Sequence, residues 1–259
     1  MIPRRALVFS AVLFSIVLLW QLVAALEVVP VFLLPGPGAV AETFYNSAGT
    51  FLSQARYTAQ ITLAGFAISV TVGVILAIAI TQNRYIEEIV FTLLVSMSSI
   101  PKVAIAPLLI IWLGVGATSK IVIAALIGVF ALVIELVHGL RSIDPEMLDL
   151  GRVLQGNRWR MFMKIRLPHA LPSLFAGMKV SISLCLIGTI VGEFVASQHG
   201  LGHMIMVAQG QFDTPAIFVA LLLLSFIGTG FFFCLHFAER VLLPWHVSRR
   251  TEHHAEIPG

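Results

Sequence analysis

The stretch that decides the fold is "DLGRVLQGNRWRMFMKIRLPHALP" (149–172). Four Lys or Arg residues lie between Arg158 and Arg166, although the chain is 58% hydrophobic and only 11% charged. A basic stretch of this kind fits a solvated face, a nucleic-acid patch, a membrane-surface segment or a docking surface. The segments on either side of it decide between these interpretations.

Long stretches with few or no charges predict membrane helices. The mean hydropathy of +0.97 lies outside the range of soluble globular proteins. A helix needs about 20 apolar residues to cross the hydrocarbon core, and it satisfies its own backbone amides there. We therefore expect an all-α integral membrane protein with six transmembrane helices. The predicted spans are 6–26, 60–80, 89–113, 120–140, 174–195 and 215–238.

The distribution of Lys and Arg predicts the orientation. With a cytoplasmic N-terminus, twelve of these residues lie inside and only Arg56 and Lys120 lie outside. Both termini are therefore expected in the cytoplasm, and the basic stretch belongs to a cytoplasmic loop at 141–173. The net charge of +3 then reflects topology, so we expect no nucleic-acid partner. The two cysteines, Cys185 and Cys234, both fall within spans, which favours neither a disulfide nor a metal site.

The loop has the pattern of two short helices. Asp144 is a favourable N-cap for the first helix, and Gly156 supplies its stop. Asn157 begins the second helix, which we expect to end before Pro168. The apolar face of the second helix consists of Trp159, Phe162, Met163 and Ile165. On the residues alone, these helices either dock on a partner or rest on anionic lipid headgroups.

The loop resembles the cytoplasmic signature of binding-protein-dependent ABC importer permeases, which runs Glu-Ala-Ala, then Gly, then Ile-x-Leu-Pro. Asp149 stands at the Glu position, and Leu150 and Gly151 stand at the two Ala positions. The signature glycine appears as Gln155, with Gly156 one place later, so the turn is expected to shift by one residue. The signature ends on Ile165, Leu167 and Pro168.

Other stretches look like the nitrate, sulfonate and taurine branch of these permeases, and the resemblance covers about residues 28–240. These stretches are "FLLPGPGAV" (32–40), "SIPKVAIAPLLIIWLGVGATSK" (99–120), "IVGEF" (190–194) and "GLGHMI" (200–205).

The resemblance implies a type I ABC importer permease fold in the bacterial inner membrane, working as a homodimer. It also implies ATP-binding cassette ATPase subunits as partners, which hold ATP and Mg²⁺, and no cofactor on this chain. A periplasmic or lipid-anchored solute-binding protein would dock outside, near 27–56 and 197–214. Trp159 and Phe162 would be an apolar plug in the ATPase groove, with a basic rim around them. The implied ATPase-coupling residues are Asp149, Gly151, Gly156, Arg158, Trp159, Phe162, Lys164, Ile165, Leu167 and Pro168.

The chain is expected to divide into three parts. Residues 1–56 form the first membrane helix and an outer loop, 57–240 form the permease core that contains the 141–173 loop, and 241–259 form a cytoplasmic tail.

Several residues within the spans are candidates for the translocation path. The two prolines of the third span produce either a packing kink or a break that lines the path. Glu193 either fixes an outer gate or makes a structural pair. Glu135 either pairs with His138 one turn away or lines a cavity, where its charge would favour a neutral or cationic solute. Lys179 is expected to be a snorkelling anchor. The candidates are Pro101, Lys102, Pro107, Glu135, His138 and Glu193.

Other functions fit the sequence less well. "GRVLQGNR" (151–158) has the glycine spacing of a phosphate-binding loop but lacks its Lys and Ser/Thr, so ATP hydrolysis is expected on another chain. A stand-alone ion-coupled transporter is the main alternative, although the two halves show no convincing repeat. A membrane scaffold is a third possibility. The solute stays open among sulfonates, taurine, nitrate, and pyrimidine or flavin vitamin precursors.

Overall fold

The computed structural model describes residues 4–26, 29–30, 32–82, 85, 87–89, 96, 101–144, 146–147 and 157–244. Within these residues every regular element is helical, as predicted. The helices are α1 (Arg4–Ala25), α2 (Pro37–Asn46), α3 (Ala48–Gln82), α4 (Ala106–Leu113), α5 (Ala117–Arg141), α6 (Leu167–Ala196), α7 (Leu201–Gly210) and α8 (Thr214–Leu242).

Four helices of the described chain are long and apolar enough to cross a membrane. They are α3, α5, α8, and α6 together with the helical turn that begins at Phe162. They contain the predicted second, fourth, fifth and sixth spans. The predicted first and third spans correspond to shorter apolar helices, Phe14–Ala25 and Val103–Leu113. The structure therefore supports four membrane-crossing helices.

The described part of the third predicted span is interrupted between its two prolines. A 3-10 helix, Lys102–Ile105, follows Pro101, and α4 begins with Pro107 in its first turn. Proline has no N–H to donate, and its ring collides with the preceding helical turn, so each proline is compatible with a helix start. The helix is therefore interrupted between the two prolines, as both interpretations of them allow. Gly114, with φ +83°, ends α4.

Helices α5 and α6 pack closely because glycines remove side chains along their seam. An added Cβ on Gly188 would lie 2.8 Å from the Ala124 Cα, and one on Gly139 would lie 2.4 Å from the Ser173 Cβ. Gly188 therefore allows the backbones of α5 and α6 to come into close contact. Small residues are the usual means of close packing in membranes, where apolar side chains gain nothing from leaving the lipid.

Buried hydroxyl groups join α3 to α6. The Thr62 hydroxyl donates to the Thr189 hydroxyl at 3.1 Å, and the Ser69 and Ser181 hydroxyls lie 3.0 Å apart. All four side chains are fully buried. These hydrogen bonds satisfy polar atoms within the helix bundle and fix the register of the two helices.

The described chain separates into two compact units, one formed by residues 1–58 with 197–226 and the other by residues 59–196 with 227–259. In the first unit, the N-terminal part of α3 contacts the start of α7. The Thr58 hydroxyl accepts a hydrogen bond from the Leu201 N–H at 2.9 Å, and Tyr57 packs on His199 with ring centroids 5.6 Å apart. These contacts satisfy an amide at a helix start, which has no partner within its own helix.

Candidate coupling surface and intramembrane ionisable residues

The basic stretch joins α6 without a break. A short helical turn, Arg158–Met161, is followed by a π-helical turn, Phe162–Arg166, and α6 begins at the next residue. The Leu167 N–H donates to the Phe162 carbonyl five residues earlier. Residues 158–196 therefore form one continuous helical rod with a π-turn inside it.

This rod differs from the prediction that the second loop helix ends before Pro168. Proline lacks the N–H that would bond to the carbonyl four residues earlier, and its ring normally collides with that carbonyl. In the π-turn the hydrogen bonds reach back five residues, which widens the turn and lets the chain continue through Pro168. Sequence patterns of caps and prolines do not reveal a π-turn, because it needs no special residue.

Phe162 lies inside its own chain. Its side chain is only 5% exposed, and it packs in a cluster with Ala77 of α3, Leu136 and Leu140 of α5, and Ala170 of α6. The resemblance to ABC importer permeases predicted this ring in the groove of a partner. The structure instead uses it to anchor the π-turn between three helices, because the turn directs residue 162 towards α5.

The other side chains of this segment lie at or near its surface. Arg160 and Lys164 are exposed, while Ile165, Leu167 and Pro168 are half-buried. For Arg158 and Trp159 the structure describes the helical backbone but not the side chains, and Asp149, Gly151 and Gly156 lie outside the described residues. The first loop helix starts as expected, because the Asp144 carboxylate accepts a hydrogen bond from the Glu146 N–H at 3.0 Å.

Polar contacts hold the end of α5 beside the start of α6. The Ser142 hydroxyl lies 3.3 Å from the His169 Nε2 and donates to the Gly139 carbonyl at 3.1 Å. Arg141 forms an ion pair with Glu87 at 2.6 Å. The base of the 141–173 loop is thus fixed at both of its ends.

Glu135 lies on the seam between α5 and α6, where Gly177 leaves room for it. Its Cβ would be 3.0 Å from a Cβ added to that glycine. Glu135 is half-buried, and His138 is exposed. Among the described residues, no hydrogen bond or ion pair joins the two side chains. The pair that the sequence spacing suggested is therefore not formed in this structure.

Glu193 and Lys120 are the most deeply buried charged residues described. Glu193 lies in the last turn of α6 and is 1% exposed, and Lys120 lies in the first turn of α5 and is 3% exposed. The Lys120 Cγ lies 3.1 Å from the position of a Cβ on Gly192, the neighbour of Glu193 in the chain. The sequence predicted Lys120 at the outer end of the span 120–140, and the structure buries its side chain.

Lys179 has a partner that sequence reasoning missed. It forms an ion pair with Glu239 of α8, and its Nζ lies 5.8 Å from the centre of the Phe232 ring. His236 Nδ1 lies 3.6 Å from the same Glu239 oxygen. The signal was present, since Glu239 lies one residue beyond the predicted sixth span, at the same end of the membrane as Lys179. Because the two residues are sixty positions apart in the sequence, their pairing could not be inferred from local spacing.

The remaining path candidates lie at the broken third span. Pro101 and Pro107 are exposed, and the structure describes the backbone of Lys102 but not its side chain.

Comparisons with known proteins agree with this architecture. Residues 69–245 match the model of the family described as "Binding-protein-dependent transport system inner membrane component". The riboflavin transport system permease protein of Chloroflexus aurantiacus is 36% identical over 94% of this chain and 91% of its own length. The formylaminopyrimidine transport permease of Halalkalibacterium halodurans is 29% identical, over 89% and 92%. A putative aliphatic sulfonates transport permease of Bacillus subtilis is 28% identical, over 94% and 88%.

Solved structures share the fold at low sequence identity. A chain of an amino acid ABC transporter aligns with a TM-score of 0.65 and 14% identity, covering 76% of this chain and 96% of that one. A chain of the inward-facing methionine ABC transporter aligns with a TM-score of 0.62, also at 14% identity, covering 74% and 97%. The helical arrangement is therefore that of type I ABC importer permeases.

Proposed function

The chain belongs to the binding-protein-dependent transport system inner membrane components, and we propose that its 141–173 loop is the surface that contacts the ATPase subunits. It is the permease subunit of an ATP-driven importer in the bacterial inner membrane and is not itself an enzyme. Its partners are ATPase subunits and a solute-binding protein. ATP and Mg²⁺ belong, in this proposal, to the ATPase subunits alone.

The observation that carries this proposal is the continuous helical rod at 158–196. Exposed basic residues lie on its first turns, and the Phe162 anchor lies directly behind them. A force applied to the exposed turns is transmitted into the packed α3–α5–α6 cluster, because the helix is continuous between the two. Trp159 is the plug in the partner groove, and Arg158, Arg160 and Lys164 form its rim.

The proposed orientation places this rod's first turns in the cytoplasm. It rests on the excess of Lys and Arg in the segments assigned to that side. It includes six membrane spans, with Phe14–Ala25 and Val103–Leu113 as the visible parts of the first and third. The proposal divides the chain into 1–56, the permease core 57–240 and a cytoplasmic tail from 241. Two copies of the chain enclose the path as a homodimer.

The solute-binding protein is proposed to dock on the segments 27–56 and 197–214. Both belong to the same compact unit, and the Thr214 hydroxyl donates a hydrogen bond to the Phe32 carbonyl between them. The two segments thus form one joined surface, which suits a partner that must engage both at once.

Lys120 and Glu193 are proposed to form a buried ion pair at the outer end of α5 and α6. Buried charges are paired in folded proteins, and unpaired charges cost several kcal/mol within a membrane bundle. The contact of the Lys120 stem with Gly192 brings the ammonium group to the level of Glu193. The pair would hold α5 against α6 at the end of the path that faces the binding protein.

The transported solute is proposed to be a neutral or cationic heterocycle. Glu135 lies half-buried within the span, where a fixed negative charge would repel a sulfonate or nitrate. The most similar of the three relatives described above is named for riboflavin transport. The solute that the cognate binding protein retains on purification tests this: an ultraviolet-absorbing heterocycle supports it, and a sulfonate rejects it.

Co-expression with the cognate ATPase subunit tests the coupling surface. We expect Trp159→Ala to lower the amount of ATPase subunit that co-purifies by about tenfold, since buried aromatic anchors dominate such interfaces. Trp112→Ala is the matched control, because Trp112 lies on α4 and is 68% exposed. Equal co-purification by the two variants and the unaltered permease would reject the assignment of Trp159.

A further inference from the structure

The ion pair between Lys179 and Glu239 joins two membrane helices. Lys179 lies on α6, on the same continuous rod as the 158–166 segment, and Glu239 lies near the end of α8. Their side chains are 17% and 19% exposed, so the pair is largely enclosed. The Phe232 ring covers the ammonium group at 5.8 Å from its centre.

The pair lies where charge is costly unless it is partnered. Lys179 is about 18 Å along α6 from its first residue, well inside the candidate membrane span. A lysine at such depth is normally paired or reaches towards the membrane surface. Lys179 does both. It pairs with Glu239, and it reaches towards the membrane surface because Glu239 lies only one turn from the end of α8. The pair is therefore a specific link between the helices.

The second half of α8 has few other means of holding its position. The buried residues of α8 are Val219, Ala220 and Leu224, all in its first half, and residues 227–242 contribute no fully buried side chain. Exposed apolar side chains give no drive to associate within lipid, because lipid tails are equally apolar. Gly228 contacts Leu186 of α6, where an added Cβ would lie 3.2 Å from its Cδ2.

We propose that the Lys179–Glu239 pair is a transmission link. Through it, the second half of α8 moves together with α6 when the 141–173 loop moves. The inference rests on the proposed contact of the 141–173 loop with the ATPase. A continuous helix, with Pro172 inside it, connects that loop to Lys179, and the ion pair connects Lys179 to α8. The two helices then move as one body during the transport cycle.

Charge reversal separates this role from simple packing. Lys179→Gln and Glu239→Gln each remove the link, while the double variant Lys179→Glu with Glu239→Lys rebuilds it in the opposite sense. His236→Gln is the matched control, because His236 lies 3.6 Å from the same Glu239 oxygen but has no hydrogen bond or ion pair to α6 within the described part of the chain. Each variant is purified as the full complex with its ATPase subunits in lipid nanodiscs.

The readout is the distance between spin labels on the two helices. Labels at Ile187→Cys and Val241→Cys use positions that are 50% and 60% exposed. The exposed Cys234 is replaced by Ser, and Cys185 is kept because it is buried. Labelled protomers are diluted with unlabelled ones, so that only distances within one chain are measured. The complex is compared without nucleotide and after trapping with ATP and vanadate.

We expect the unaltered pair and His236→Gln to give one narrow distance that is the same in both states. The two single variants are expected to lose this narrow distance in the trapped state, and the charge-reversed double variant is expected to regain it. Unchanged narrow distances in the single variants would overturn the proposal, as would a failure of the double variant to restore them.

Co-purification of the ATPase subunit distinguishes the two levels of the argument. If the ATPase subunit binds every variant but the spin-label distance is the same with and without the ion pair, the transmission link is refuted and the proposed function stands. If the unaltered permease does not bind the ATPase subunit at all, the proposed function and the link that rests on it are both refuted.

Discussion

The seam between α5 and α6 makes a sharp prediction for Gly188→Ala. A Cβ added to Gly188 would lie 2.8 Å from the Ala124 Cα and 3.2 Å from the Ala124 amide nitrogen. Carbon atoms in contact lie about 3.5–4.0 Å apart, so the helices would have to separate by roughly 1 Å. The obstacle is backbone, which cannot rotate away as the end of a side chain can. Overpacking of this kind costs about 1–3 kcal/mol.

The expected effect on melting follows from this cost. A loss of about 2 kcal/mol lowers Tm by about 4–8 °C for a chain of this size. Separation of the seam also moves α6 and the rod that continues from it. We therefore expect a weaker complex with the ATPase subunit as well as a lower Tm for Gly188→Ala.

Gly230→Ala is the matched control for this prediction. Gly230 also lies in a membrane-crossing helix, and a Cβ added to it would meet no atom within 4 Å. The same substitution there should leave Tm unchanged or raise it slightly, because alanine stabilises helices relative to glycine. Melting is followed by heating the detergent-solubilised protein and measuring the monodisperse fraction by size exclusion. Equal Tm values for the two variants would refute the close-packed seam.

Three further predictions concern side chains. Phe162→Ala empties part of the cluster at the base of the rod and should lower Tm by about 6–20 °C, from a loss of about 3–5 kcal/mol. Phe162→Leu should retain most of the stability, and equal losses in the two variants would contradict the anchor role. Glu135→Gln should speed uptake of an anionic relative of the solute in proteoliposomes, and unchanged uptake would remove Glu135 from the path. Glu193→Gln and Lys120→Met should each lower Tm more than the double variant does, because each single change leaves one buried charge without its partner. Additive effects in this double-mutant cycle would show that the two residues do not pair.

The positions of the main membrane helices could be read from the sequence because they depend on local composition alone. A stretch such as 120–140 has one way to satisfy its backbone in lipid, and the structure extends it by only three residues at its start. The glycine contact at Gly188 was also predictable, since small residues mark helix seams. The break at Pro101 and Pro107 followed from proline's missing N–H.

The contacts between distant residues could not be read in the same way. Lys179 was predicted to be a snorkelling anchor, but its pairing with Glu239 depends on how α6 and α8 lie side by side. Phe162 looked like a surface plug because its neighbours in the chain are basic. The burial of Phe162 depends on the π-turn, which changes the direction of its side chain. No residue pattern in the segment predicts a π-turn.

The packing of the second unit restricts where it can move. The buried hydroxyl pair of Ser69 and Ser181 holds α3 to α6, and the glycine seam leaves no space between α5 and α6. Sliding within this cluster would break hydrogen bonds that have no water to replace them in the membrane. Tightly packed bodies of this kind rotate about their borders and do not deform inside. In the proposed mechanism, a force applied at the 158–166 segment turns α5, α6 and the part of α3 from residue 59 together, and the second half of α8 follows through the Lys179–Glu239 pair.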